Sequence, residues 1–121
     1  MIKVLNISNH ELTKVQVEDL AKKNMEVMEL PDDMKKSWGA LTPDNYQKVC
    51  DEIRDYMISN NVTVAHLTGF IPAVSYLTSK NNLSLSFIYS YSQRESKETK
   101  DKDGKVIKTS VFKHRGWYKY L

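Results

Sequence analysis

The sequence predicts an α/β domain of the Rossmann-like class, with a mostly parallel sheet, helices on both faces and a C-terminal β-hairpin. Three observations carry this. Strand-like and helix-like runs alternate over the first 91 residues, breakers or capping residues divide them, and an Asp-Gly pair separates two extended stretches near the end. Alternation of this kind calls for crossover connections, which give parallel strands covered by helices. At 121 residues the chain makes one core and one domain, 1–121.

The elements follow in order. Ile2–Ser8 is a short apolar run, the pattern of a buried strand. Thr13 is placed to cap a helix over Lys14–Lys23, in which Val17, Leu20 and Ala21 share a face. Met25–Leu30 reads as a second strand, ended by Pro31. The next stretch is irregular, with Trp38-Gly39 in a loop. Pro43 suits the first turn of a helix that runs to Ser59, with Tyr46, Val49, Cys50, Ile53, Tyr56 and Met57 at helical spacing. Val62–Leu67 is a third strand, turning at Thr68-Gly69 into a helix over Ile71–Lys80 with Pro72 in its first turn. Leu83–Tyr91 is a fourth strand. A polar stretch then turns at Lys102-Asp103-Gly104 and becomes extended again, a hairpin signal.

Composition narrows the function classes. A net charge of +3 permits an anionic partner but is too mild for coating nucleic acid, so no DNA partner is expected and any anion site must be local. The single cysteine, Cys50, rules out an internal disulfide and suits a reducing cytoplasm; its neighbours Val49 and Ile53 mark a buried thiol. No apolar run reaches the roughly 18–20 residues that span a bilayer, and Met1 leads straight into a strand, so neither membrane span nor signal peptide is expected.

Open α/β sheets bind ligands at the carboxyl ends of their strands. If the fourth strand runs up, one hairpin arm runs down and the other returns up, bringing Lys113-His114-Arg115 to that edge. Three other segments should meet it there: Ser8-Asn9-His10, then Thr68-Gly69-Phe70, then Ser90–Arg94 with Ser92 and Arg94. Together they offer hydroxyls, helix N-terminal N–H groups and cations, a set suited to phosphate. Strand alternation puts Lys113 and Arg115 on one face and His114 with Phe112 on the other, unless Gly116 permits a bend. The plainer reading of the cluster is a charged strand end that discourages sheet pairing. His66 lies within a strand and reads as a core or interface histidine rather than a ligand. Lys97 and Lys100 read as a solvated hairpin. Fingerprints for dinucleotides and triphosphates are absent, as are zinc-ligand spacing and a nucleophile elbow, so no metal or cofactor is expected.

The segments "LNISNHELT" (5–13) and "DGKVIKTSVFKHRGWYKY" (103–120) together resemble the small accessory proteins of type III CRISPR loci that belong with the ring nucleases. The likeness spans most of the chain and departs at Ile71, where a small residue fits the pattern. It implies a homodimer that binds and cleaves a cyclic oligoadenylate, the tetra-adenylate ring above all, and so switches off antiviral signalling. Such cleavage needs no metal: a ribose 2′-hydroxyl attacks the adjacent phosphorus. His10, ahead of His114, is the expected proton carrier, with Lys113 and Arg115 supplying positive field. Three alternatives remain open: a non-catalytic sponge or sensor for the ring, a small RNA-binding module stacking bases on Tyr89, Tyr91, Trp117 and Tyr118, and a purely structural subunit with no nucleotide affinity.

Overall fold

A computed structural model describes residues 1–79 and 85–120. The elements are β1 (Ile2–Ile7), α1 (Lys14–Lys22), β2 (Met25–Glu29), α2 (Asp32–Trp38), α3 (Tyr46–Ser59), β3 (Val64–Leu67), α4 (Ile71–Ser79), β4 (Ser86–Lys100) and β5 (Val106–Lys119). They form one sheet in the order β2-β1-β3-β4-β5. The first four strands are parallel, and β5 returns antiparallel to β4. This is the mixed α/β class that the alternation predicts, with the C-terminal hairpin.

Local chemistry explains most boundaries. Thr13 caps α1 in a full capping box, its hydroxyl accepting from the Gln16 N–H while the Gln16 side chain accepts from the Thr13 N–H. The stretch after Pro31, expected to be irregular, forms α2. Pro31 ends β2 yet suits the position before a helix, and Asp32 and Asp33 complement the N-terminal dipole. Pro43 lies in the turn before α3 rather than in its first turn. Asn45 closes that turn by accepting from the Thr42 N–H at 2.8 Å, which delays the helix to Tyr46. The expected helix end at Lys80 and strand start at Leu83 lie outside the described residues.

The two sheet faces differ in chemistry, as strand alternation dictates. Leu5, Ile7, Ala65, Leu67 and Phe87 point into the main core with Trp38, with Val49, Cys50, Ile53 and Met57 of α3, and with Ala73 and Leu77 of α4. Cys50 is buried there, and burial pushes its thiol up to about 11, as an inert structural residue requires. The opposite face carries Val4 and then Asn6, Ser8 and His66, all buried. Its lower half is apolar and its upper half is polar. That polar half positions the site.

The hairpin corrects one expectation. β4 does not stop at Tyr91 but runs unbroken to Lys100, so Lys113, His114 and Arg115 lie on a descending strand, not a returning one. Nine consecutive pairs, from Ser92 with His114 to Lys100 with Val106, satisfy the backbone of the polar stretch. At the tip, Asp101 Oδ1 accepts from the N–H groups of Asp103 and Lys105, and Gly104 takes φ +80°. The cluster still reaches the carboxyl edge, because β3 pairs only with the first residues of β4, Ser86 to Ile88, and β4 continues past it. Among the described residues no helix is long and apolar enough to cross a membrane.

Candidate functional site at the carboxyl edge

Where β1 and β3 end and β4 runs on past them, the turn after β1 and the start of α1 enclose a cavity of about 210 Å³. Its wall holds Ser8, His10, Glu11 and Leu12 from the first turn, Gln16 from α1, His66 and Thr68 from β3, and Ser90 and Ser92 from β4. A larger concavity of about 520 Å³ lies between α2 and α3, but Asp33, Glu52 and Asp55 make it acidic. The smaller cavity, at the carboxyl edge and with Glu11 as the one carboxylate in its wall, is the better candidate for a nucleotide whose phosphates remain at the rim.

Two hydrogen-bonded networks underlie it. In the first, Asn6 Nδ2 donates to the His10 carbonyl at 2.9 Å and toward the Glu29 carboxylate at 3.3 Å. Asn6 Oδ1 then lies 2.7 Å from Ser8 Oγ and 2.9 Å from His66 Nδ1. Ser8 Oγ is also 2.8 Å from the His10 carbonyl, so the buried strand end fixes the backbone of the turn that carries His10. The His10 side chain is exposed at the rim. Burial drives the His66 pKa down to about 4, so its ring is neutral.

The second network joins three elements. The His114 Nε2–H donates to Asp19 Oδ2 of α1 at 2.9 Å, while its Nδ1 meets the Ser90 hydroxyl of β4. Ser92 Oγ lies 3.3 Å from Ser90 Oγ. Only 6% of the His114 side chain is exposed. The hydrogen bond from His114, and secondarily that from Lys23, holds the Asp19 carboxyl below its usual range. The carboxylate can only accept, so a neutral His114 presents its bare Nδ1 to the serine hydroxyl. The result is an Asp-His-Ser relay whose serine opens on the cavity.

A register shift beside Tyr91 and Ser92 leaves Arg115 without a partner opposite, so His114 and Trp117 fall on the same face, their rings 5.2 Å apart. Trp117 also meets His66 edge-on at 5.2 Å and donates to the Gln16 carbonyl, tying β5 to α1.

The expected site residues are thus distributed unevenly. Ser8, His10, Thr68 and Ser92 share the cavity wall. His114 lies behind Ser90 rather than against a ligand. Lys113 and Arg115 share the opposite face of the hairpin, as alternation predicts, and Arg115 is engaged by Glu95 at 2.6 Å and Gln93 at 2.9 Å. The phosphate-facing basic cluster is corrected accordingly: the cavity wall contains no lysine or arginine. Arg94 sits on the cavity side of the hairpin, two residues beyond Ser92, exposed and without an ion pair among the described residues. Asn9 is exposed outside the wall. Gly69 lies against the Trp38 ring, and Phe70 packs edge-on to Tyr46, so both shape the turn from behind.

Sequence reasoning missed Asp19 and treated His66 as a core or interface residue alone. No local signal marks Asp19, which lies in an ordinary amphipathic helix. The pairing of Asn6 with His66 across β1 and β3 is a signal for the latter, since polar residues facing each other in buried strands need one another. Among the described residues, no group of three or more His, Cys, Asp or Glu is placed to hold a metal ion.

Residues 2–118 match the Uncharacterized protein MJ1673 family. The chain belongs to this family. The uncharacterized protein MJ1673 of Methanocaldococcus jannaschii is 31% identical over 128 residues, covering 99% of this chain and 98% of that protein. No solved structure matches this member of the MJ1673 family.

Proposed function

We propose that this MJ1673 family protein is a cytoplasmic, homodimeric ring nuclease that binds a cyclic oligoadenylate and cleaves it without a metal. The observation that carries the proposal is the Asp19-His114-Ser90 relay opening on a cavity at the carboxyl edge of the sheet. In the step envisaged, a ribose 2′-hydroxyl attacks the adjacent phosphorus and the P–O5′ bond breaks, leaving a 2′,3′-cyclic phosphate. The 2′-proton passes to Ser90 Oγ as the serine proton passes to His114 Nδ1, and Asp19 stabilises the imidazolium formed. The exposed His10 at the rim protonates the departing 5′-oxygen. Arg94, on the same side, offsets charge on the phosphorane.

The resemblance of the terminal segments to ring nucleases supports the choice of ligand. The twofold symmetry of a tetranucleotide ring suits an isologous dimer that presents each side chain twice. The test is incubation with labelled cyclic oligoadenylates of several ring sizes in EDTA, followed by product analysis. Linear fragments ending in 2′,3′-cyclic phosphate are expected. Tight binding without any cleavage would support the sponge reading instead, and no binding of any ring would remove both.

A further inference from the structure

One cavity group plays no part in that mechanism. His66 is 5% exposed, yet it forms part of the cavity wall. Its tautomer is fixed by its surroundings. Asn6 Nδ2 faces the His10 carbonyl and the Glu29 carboxylate, neither of which can donate, so the amide oxygen must face His66. An oxygen only accepts, so Nδ1 carries the imidazole proton. Nε2 is therefore a bare lone pair, with no hydrogen-bond partner among the described residues. Nor is it sealed in the interior: among the described residues the only sealed, unsatisfied side-chain polar atom is Arg54 Nε. Burial keeps the ring neutral, so this nitrogen stays an acceptor.

The rest of the wall agrees in sign. It carries hydroxyls, an amide, Glu11 and, at the rim, the His10 imidazole, but no lysine or arginine. At the floor a phosphate would meet the bare His66 lone pair. A neutral group bearing N–H or O–H would meet a partner.

We infer that the cavity floor selects a neutral hydrogen-bond donor: His66 Nε2 accepts from an amino or hydroxyl group of a nucleoside, while the phosphates stay outside the cavity, toward Arg94. This rests on the ring nuclease reading for its ligand. The donor has two sources in an adenylate ring, the 6-amino group of a base and the 2′-hydroxyl of a ribose other than the attacking one. A buried donor left without an acceptor loses roughly tenfold in affinity.

The experiment compares three rings on the full-length protein: cyclic tetra-adenylate, the same ring with unsubstituted purine for adenine, and the ring of 2′-deoxyadenosine. The variant is His66→Asn, whose amide can keep the donation to Asn6 while removing the Nε2 acceptor. The wild type should bind one of the two analogues roughly tenfold more weakly than the native ring. The variant should bind the native ring about tenfold more weakly and no longer distinguish that analogue. Loss with the purine ring assigns the amino group, and loss with the deoxy ring assigns the hydroxyl. Equal wild-type affinity for all three overturns the inference while leaving the ring nuclease reading intact. If the wild type binds no ring, that reading and this ligand both fail. A ¹⁵N spectrum of the imidazoles checks the acceptor independently of any ligand, and a proton on His66 Nε2 would overturn it.

Discussion

His114 and His66 are both imidazoles beneath one cavity, but the first partner of each gives it a different task. Asp19 holds His114 so that its other nitrogen can take a proton from Ser90, whereas Asn6 holds His66 so that its other nitrogen only accepts. Ser90→Ala and Asp19→Asn should therefore each lower ring cleavage by roughly 10²–10⁴-fold with affinity kept, the usual range for lost acid–base help. His10→Ala should do the same through the leaving group. Single-turnover rates and equilibrium binding check this, and normal cleavage by Ser90→Ala would remove the relay from the mechanism. His66 leaves its mark on stability instead. Its pKa is about 4 when folded and near 6.5 when exposed, so the unfolded chain binds the extra proton first. Stability is full above about pH 6.5 and falls as pH drops toward 4, by about 3 kcal/mol. The ionisable groups around it are Glu29 behind Asn6, His114 beyond Trp117, and His10 and Glu11 in the cavity wall, and His66→Asn separates its contribution from theirs. Urea unfolding between pH 7 and 5 should show the slope in the wild type and a flatter curve in the variant.

At the scale of elements, the turn between β3 and α4 is the least tolerant part of the site. Gly69 has φ +148°, and a Cβ there would lie 2.9 Å from Trp38 Nε1, on a buried ring that donates to the Thr68 carbonyl. Gly69→Ala should cost roughly 2–4 kcal/mol, combining overpacking with a disfavoured backbone angle. A thermal midpoint within a degree of wild type would refute this. Sequence and structure agree best where a rule is local. Thr13 announces α1, Asp103-Gly104 the hairpin tip, and the spacing of Val49, Cys50, Ile53 and Met57 the buried face of α3. They part where the deciding partner is distant. The polar run from Ser92 to Lys100 looks like a loop until β5 pairs with it. Asp19 looks like any helix-surface carboxylate until His114, 95 residues away, comes to rest on it. The cavity segments were legible because strand ends are. Their cations were not, because the direction of β5 depends on the length of β4.

At the scale of the whole molecule, the hairpin is the unfinished part. From Ser92 onward it leaves the sheet as a two-stranded ribbon of nine pairs, roughly 30 Å long. Phe112 is 75% exposed on it, with Val106, Ile107 and Val111 also in solvent. An isolated ribbon is marginal in water, so these side chains call for cover. From Arg94 to Lys113 it carries seven basic and four acidic side chains, a surplus of three in a chain whose whole net charge is +3. Arg94→Ala should weaken ring binding roughly 10- to 100-fold, while Arg115→Ala, with Glu95 already its partner, should change it little. A second copy of the chain suits the ribbon for two reasons. Pairing two ribbons across a twofold would cover Phe112, and it would place two cavities and both cationic surpluses on one symmetric anionic ligand. Replacing 96–110 by Asn-Gly keeps Glu95 opposite Val111 across a two-residue turn, shortening the ribbon without disturbing the site. The full chain should sediment as a dimer and the shortened chain as a monomer with reduced ring affinity. Monomers in both cases would leave Phe112 without the cover assigned to it, and dimers in both would move the interface elsewhere on the molecule.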